Sequence, residues 1–458
     1  MFTYIILKNY KSFKDVKVDF TDKKGNPKSL ICIYGENGSG KSNIASAIHF
    51  LKEIASTRMW LDEMNIIMEK INNVEAEGLP PIDLVNIFKD KFRDIESIIK
   101  TSKLIGSKEP MELEFGIKID SGDGVYNIKL NDTEIIEEKL EFTLNYRKAV
   151  YFQINKKENI ELKLNKSVFF GNQYKLELET EIKKYWGKHS FMSILLYQLK
   201  EKNSEFINNN INQKMLDYIN FLYNISTKCL IGDKKERGFV GYESNILANI
   251  DEGEIEEKYL EELSAIEVFL CEIFTALYSD IKNVYYKVKK NENNKYNYKL
   301  IFKKMIFGEL IDIEYNLEST GTLSILNIIP YMVNCINKKV VVLDEIDTGI
   351  HDILFKNLIN SIKDCINGQF IMTTHNTYIM EEVLEPQNIY VIYVDACGNK
   401  EIRCLEDFNK IRIRNSNNLR LRYIKGIYGG IPEINEVDFE FACNDLLERL
   451  EGIKSNEV

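Results

Sequence analysis

Apolar residues along the chain follow three spacings, and each predicts a different element. Unbroken runs such as Leu30-Ile31-Cys32-Ile33-Tyr34 and Val340-Val341-Val342-Leu343 read as strands buried on both faces, as do Phe370–Thr374 and Ile389–Val394. Alternation in Leu113-Glu114-Phe115-Gly116-Ile117-Lys118-Ile119 and Tyr174-Lys175-Leu176-Glu177-Leu178 predicts an antiparallel lobe between about 111 and 180. Helical spacing links Ile44, Ile48, Leu51 and Ala55, and later Leu354, Leu358, Ile362 and Ile366. The stretches 52–110, 181–222 and 252–281 also read as helical, with a polar loop at Gly232, Gly238 and Gly241. Strands return at about 283–317, and a helix begins near Thr322. Strand and helix thus alternate on both sides of a long interruption, which predicts an α/β fold with a parallel core sheet. The expected division is a split core at 1–51 and 283–395, an inserted helical and β-lobe region at 52–282, and a C-terminal segment, 396–458, packed on the core.

The turn after the first buried run carries the clearest chemistry. Gly35-Glu36-Asn37-Gly38-Ser39-Gly40-Lys41-Ser42, followed by Asn43, matches a phosphate-binding loop between a strand and a helix. Its glycines let backbone N–H groups turn inward around a phosphate, Lys41 reaches the β/γ oxygens, and Ser42 offers a hydroxyl to Mg²⁺. The run Val340–Leu343 ends in Asp344-Glu345, a second requirement of nucleotide hydrolysis. Asp344 suits the magnesium and Glu345 the attacking water, although a strand-end acidic pair also suits a turn cap. His375 closes the run Phe370–Thr374, where it fits either a γ-phosphate switch or an ordinary strand end.

Composition changes this picture little. The chain is 44% hydrophobic and 28% charged, which is ordinary globular usage and not that of a disordered segment. A net charge of -10 argues against non-specific coating of nucleic acid. Eight scattered cysteines without a close pair read as reduced thiols. The amino terminus reads as a strand rather than a signal peptide, and no apolar run approaches the length of a membrane span, so a cytoplasmic location is expected.

These motifs resemble those of ABC-type ATPases of the branch that includes structural-maintenance-of-chromosomes and OLD-type proteins. The resemblance is carried by Leu7-Lys8-Asn9-Tyr10-Lys11-Ser12-Phe13-Lys14-Asp15, the phosphate loop, Asp344-Glu345-Ile346-Asp347 with His351 following, and Thr373-Thr374-His375-Asn376. Arg420-Leu421-Arg422-Tyr423-Ile424-Lys425-Gly426-Ile427-Tyr428-Gly429-Gly430-Ile431-Pro432 is similar to the closing segment of ATPases from abortive-infection and related anti-phage systems. Gly124–Leu130 with Glu134–Leu140 is similar to their β-lobe. The resemblance implies an ABC-type head with a helical lid insertion, ATP and Mg²⁺ as cofactors, and Glu345 and His375 as catalytic residues. It also places a signature loop at Glu318-Ser319-Thr320-Gly321-Thr322-Leu323, where Ser319 and Gly321 reach the ATP of a second subunit; Ser319 equally suits a helix N-cap. Where such proteins carry a coupling glutamine at the start of the lobe, no glutamine is clearly placed, and Glu109 lies near the expected position.

ATP-driven homodimerisation, or a higher oligomer, follows from that split site. The implied role is a sensor or regulator in anti-phage defence with a separately encoded effector, a nuclease or toxin; the alternative is an ATPase of DNA repair that senses DNA structure. Lys41 and Asp344 lie too far apart for a compact transporter cassette, no sustained heptads support long arms, and little more than sixty residues follow position 395, too few for an OLD-type nuclease domain. A basic group at Lys410, Arg412, Arg414, Arg420, Arg422 and Lys425 is a candidate contact for nucleic acid or an acidic partner, or else a solvated face.

Overall fold

The computed structural model describes all residues except 60, 62–92, 201, 232–234, 242–243, 409–417, 432–436 and 456–458. Its centre is a seven-stranded sheet in the order Lys235–Phe239, Ser226–Ile231, Val340–Leu343, Gln369–Thr373, Leu30–Tyr34, Ile389–Val394 and Lys400–Cys404. The five inner strands are parallel, and the two edges are antiparallel. Successive residues of the inner strands enter opposite cores. Ile31, Ile33, Val340 and Val342 pack on one side, while Leu30, Cys32, Tyr34, Val341 and Leu343 pack on the other. That double burial explains the unbroken apolar runs.

One core is closed by a second, antiparallel sheet of seven strands. Its order is Phe13–Asp19, Phe2–Tyr10, Met111–Ile119, Gly122–Leu130, Ile135–Leu144, Arg147–Lys156 and Ile160–Leu164. The first two strands of the chain therefore join the lobe sheet rather than the parallel one. A third sheet pairs Tyr296–Ile306 with Glu252–Ile255, Ile281–Lys290 and Glu309–Glu314, so the strands near 283–317 stand apart from the parallel sheet. Helices Asn172–Tyr185, Phe191–Lys200, Ser204–Asn210 and Gln213–Tyr223 follow the lobe strands.

Two local expectations are corrected. Tyr174–Leu178 is helical, because Tyr174, Leu178 and Ile182 are the buried positions, four residues apart; two polar-apolar alternations are too short to tell a period of 2 from 3.6. The stretch around Gly238 is not a loop but the edge strand Lys235–Phe239, paired with Ser226–Ile231. There a Cβ on Gly238 would lie 2.5 Å from the Tyr331 hydroxyl, so the glycine marks a close approach. Gly232 lies outside the described residues.

Gln369 ties the two large sheets together. Its buried Oε1 accepts from the Phe2 N–H at 2.7 Å, and its Nε2 donates to the carbonyls of Phe2 at 2.9 Å and Lys28 at 3.1 Å. Gln369→Leu strands three buried backbone groups and is expected to cost about 2–4 kcal/mol. A urea midpoint unchanged from the parent protein would contradict this role.

Candidate nucleotide site

The carboxyl ends of three neighbouring parallel strands, Val340–Leu343, Gln369–Thr373 and Leu30–Tyr34, meet at one edge of the sheet. Beyond Tyr34 the chain turns through Gly38 at φ 78° and Gly40 at φ 115°, backbone that a side chain would strain, and enters helix Lys41–Ile54. A Cβ on Gly40 would also lie 2.7 Å from the Phe13 ring, so the first turn of the chain packs directly under the loop. Lys41 Nζ is folded back onto the carbonyls of Gly35 at 2.8 Å and Glu36 at 3.1 Å. Burial lowers its pKa, opposed by Glu345, Asp344, Asp347 and Glu36. It is a cation held on loop carbonyls, beside carboxylates.

Thr373 organises the acidic pair. Its hydroxyl donates to Asp344 Oδ1 at 2.6 Å and accepts the Glu345 N–H at 2.8 Å. Glu345 adopts a left-handed backbone, φ 49°, which is strained for a residue with a Cβ and turns it away from the strand line. Burial raises the Asp344 pKa, while the hydroxyls of Thr373 and Ser42 beside it pull it down. Asp344 Oδ2 is buried without a partner among the described residues. An unpaired carboxylate oxygen next to Ser42 fits a divalent cation, so Ser42 and Asp344 are the residues that would hold Mg²⁺.

His375 follows at the surface, its pKa lowered by partial burial and then by Lys41, against the pull of Asp347, Glu345 and Asp344. The structure thus brings Lys41, Ser42, Asp344, Glu345 and His375 to one sheet edge. The open cleft there, ≈ 670 Å³, is lined by Asn37, Gly38, Gly40, Lys41, Ser42, Asn43 and Glu345 on one side. On the other lie Lys11, Ser12, Lys100, Thr101, Lys103, Leu104 and Ile105. The part of that wall from Lys100 to Ile105 was missed in the sequence. It is positioned by backbone bonds from Lys11 N to Ser102 O and from Leu104 N to Asn9 O, which join segments about ninety residues apart. Lys400 was missed too; its Nζ donates to Gly38 O at 2.9 Å and to Ser12 Oγ at 2.7 Å. Asn43 Nδ2 reaches the same Ser12 hydroxyl at 2.7 Å.

Ser319 and Gly321 are absent from the cleft lining. Ser319 caps helix Thr320–Ile336, its Oγ accepting from Thr322 N at 3.2 Å, and Gly321 packs against the Gly349 carbonyl. His351 likewise caps helix Asp352–Ile362. Glu109 is exposed and outside the cleft lining.

The closing segment packs behind the phosphate loop. Tyr423 donates to Gly430 O at 2.9 Å and lies against the Tyr34 ring, and a Cβ on Gly430 would come within 3.4 Å of Gly35 Cα. Arg420 is pinned by Glu381 at 3.1 Å, Thr377 Oγ1 at 3.0 Å and the Tyr378 ring, and Arg422 follows in the same short helix, Leu419–Ile424. Arg420 thus fastens the segment to the residues after His375. Lys410, Arg412 and Arg414 lie outside the described residues.

A phosphate loop and an acidic strand end, separated by one parallel strand and joined to an antiparallel lobe, give the arrangement of a P-loop ATPase domain. A family model described as "AAA domain, putative AbiEii toxin, Type IV TA system" matches residues 30–381, and the chain belongs to that family. Among solved structures it is similar to an Smc head bound to the C-winged helix domain of ScpA, at 16% identity and TM-score 0.42, covering 90% of this chain and 99% of that one. It is also similar to an Smc head with an extended coiled coil bound to the C-terminal domain of ScpA from Pyrococcus furiosus, at 16% and 0.40, covering 93% and 99%. The SMC head domain from Thermotoga maritima gives 14% and 0.37, covering 88% and 98%. No curated protein matches. Among the described residues no helix is long and apolar enough to cross a membrane.

Thr373→Val keeps the shape of the side chain and removes both hydroxyl bonds. It is expected to weaken magnesium-dependent nucleotide binding roughly 10-fold and hydrolysis roughly 100-fold, with Thr373→Ser near the parent. Calorimetry and steady-state assays within twofold of the parent for Thr373→Val would refute this reading of the hydroxyl.

Proposed function

We propose that this protein binds and hydrolyses ATP with Mg²⁺, dimerises on ATP, and regulates a separately encoded effector. The observation that carries the reading is the acidic pair held by Thr373 on the strand next but one to the phosphate loop, with the Asp344 Oδ2 oxygen unpaired. Gly35–Ser42 and Asn43 would hold the phosphates, and Mg²⁺ on Ser42 and Asp344 would neutralise charge on the β/γ oxygens. Glu345 accepts a proton from the attacking water, and His375 donates a hydrogen bond toward the γ-phosphate position.

Ser319 and Gly321 stand at the start of a helix and do not line this cleft, an arrangement that suits service to the nucleotide of a second subunit. Two half-sites then close head to tail when ATP is bound, and hydrolysis reopens them. The role in anti-phage defence, with a nuclease or toxin as effector, is supported by the family's description and by the closing segment around Tyr423 and Gly430. A cytoplasmic setting belongs to the same reading.

The second reading, a DNA-structure-sensing repair ATPase, would use Arg420 and its neighbours. Arg420 is already committed to Glu381, Thr377 and Tyr378, which favours the regulator. DNA ends are expected to leave the ATPase rate within twofold; a strong stimulation abolished by Arg422→Glu would support the DNA reading instead.

Glu345→Gln is expected to trap an ATP-bound dimer, because it removes the proton acceptor and leaves the magnesium ligands in place. Light scattering with ATP showing only monomer would exclude the mechanism. Ser319→Arg and Lys41→Ala are each expected to abolish hydrolysis, yet their mixture should recover up to one working site per dimer. Total inactivity of the mixture would argue that the sites are not shared.

A further inference from the structure

The loop that carries Ser319 is fastened to the third sheet by a buried acid. Glu318, whose side chain is 1% exposed, folds its carboxylate forward over the start of helix Thr320–Ile336. There Oε2 accepts the Ser319 N–H at 3.3 Å and the Lys304 ammonium at 3.0 Å. Lys304 stands in strand Tyr296–Ile306 and also reaches Asp280 Oδ2 at 3.1 Å. Burial works against the charge of the lysine, but the two carboxylates outweigh it and raise its pKa. The Ser319 hydroxyl is held from its other side, taking the Thr322 N–H at 3.2 Å and meeting the Thr322 hydroxyl at 2.8 Å. We propose that Glu318 is a positioning residue, which with Lys304 fixes the backbone of Ser319 so that its hydroxyl meets the nucleotide of a second subunit. This inference rests on the shared-site reading above.

Two features set this acid apart from an ordinary ion pair. Glu318 Oε1 is buried without a partner among the described residues, a loss that a side chain serving stability alone would avoid. Removing Glu318, in turn, strands little. Lys304 keeps the half-exposed Asp280, and Ser319 is itself exposed, so water can take over its N–H. Stability therefore depends weakly on Glu318, whereas the placement of Ser319 depends on it directly. Donors to a developing phosphate charge work within a narrow range of distance, and a misplacement of about 1 Å costs roughly 100-fold in rate. Lys304 adds an electrostatic effect. An acid beside an anion site repels the incoming phosphate, and the ammonium 3.0 Å from Glu318 offsets that charge.

The experiment uses the full chain with Mg²⁺ and ATP. Glu318→Met should lower kcat roughly 100-fold, hold the KM for ATP within about threefold and leave the urea midpoint near that of the parent. Glu318→Gln, whose amide oxygen still accepts the Ser319 N–H, should stay within about fivefold of the parent kcat. Mixed with Lys41→Ala, Glu318→Met should recover to the level of a Ser319→Arg and Lys41→Ala mixture, because the intact Glu318 and Ser319 of the Lys41→Ala chain then serve the working phosphate loop. If the Ser319→Arg mixture is inactive, the shared-site reading falls and this inference with it. If that mixture is active, the inference alone is overturned by Glu318→Met with the parent kcat, by Glu318→Met that stays inactive in the mixture, or by a fall in kcat matched by a fall in the urea midpoint.

Discussion

The register of three parallel strands is the constraint on which the site depends. Leu343 pairs with Met372, and Met372 with Cys32, so the ends of strands separated by more than three hundred residues arrive at the same edge. Thr373 stands one residue further along the middle strand, and from there one hydroxyl serves both carboxylate residues. A slip of one residue would exchange the two cores, placing Val341 where Val342 packs and moving Thr373 to the other face. Burial on both faces therefore fixes the chemistry as well as the fold.

The phosphate loop is held from several sides by remote pieces of chain. Phe13 lies beneath Gly40, Gly430 presses on Gly35, and Lys400 ties Gly38 to Ser12. Each contact restricts a glycine-rich segment that would otherwise have large conformational freedom, so the ordering cost is met on folding rather than on binding. The Arg420 cluster extends the same support to the residues just past His375. The loop and the segment after His375 thus share one C-terminal brace.

Sequence pattern revealed four of the five inner strands because burial on both faces leaves no polar residue to break the run, but not Ser226–Ile231, which opens on Ser226, Thr227 and Lys228; it revealed the loop because its glycines and Lys41 stand in fixed spacing. It revealed Asp344 and Glu345 as a strand end. It did not reveal the part played by Thr373, which depends on a neighbour twenty-nine positions away becoming adjacent through the sheet. Lys100, Lys103 and Lys400 were hidden for the same reason: nothing local marks a lysine that tertiary structure carries to a cleft or a loop. Tyr174–Leu178 was misread because its alternation is also compatible with a helical face. Ser319 satisfies a helix N-cap in the single chain, and any further duty depends on a second subunit.

In the proposed mechanism nucleotide binds at the edge holding Lys41 and Asp344, and Ser319 of a second copy completes the site. Cryo-electron microscopy of the unsubstituted protein with Mg²⁺ and a non-hydrolysable ATP analogue tests it most directly. Two nucleotides are expected, each between Lys41 of one subunit and Ser319 of the other, with the cation on Ser42 and Asp344. A nucleotide seated on one chain alone, or a cation that leaves Asp344 unligated, would contradict it.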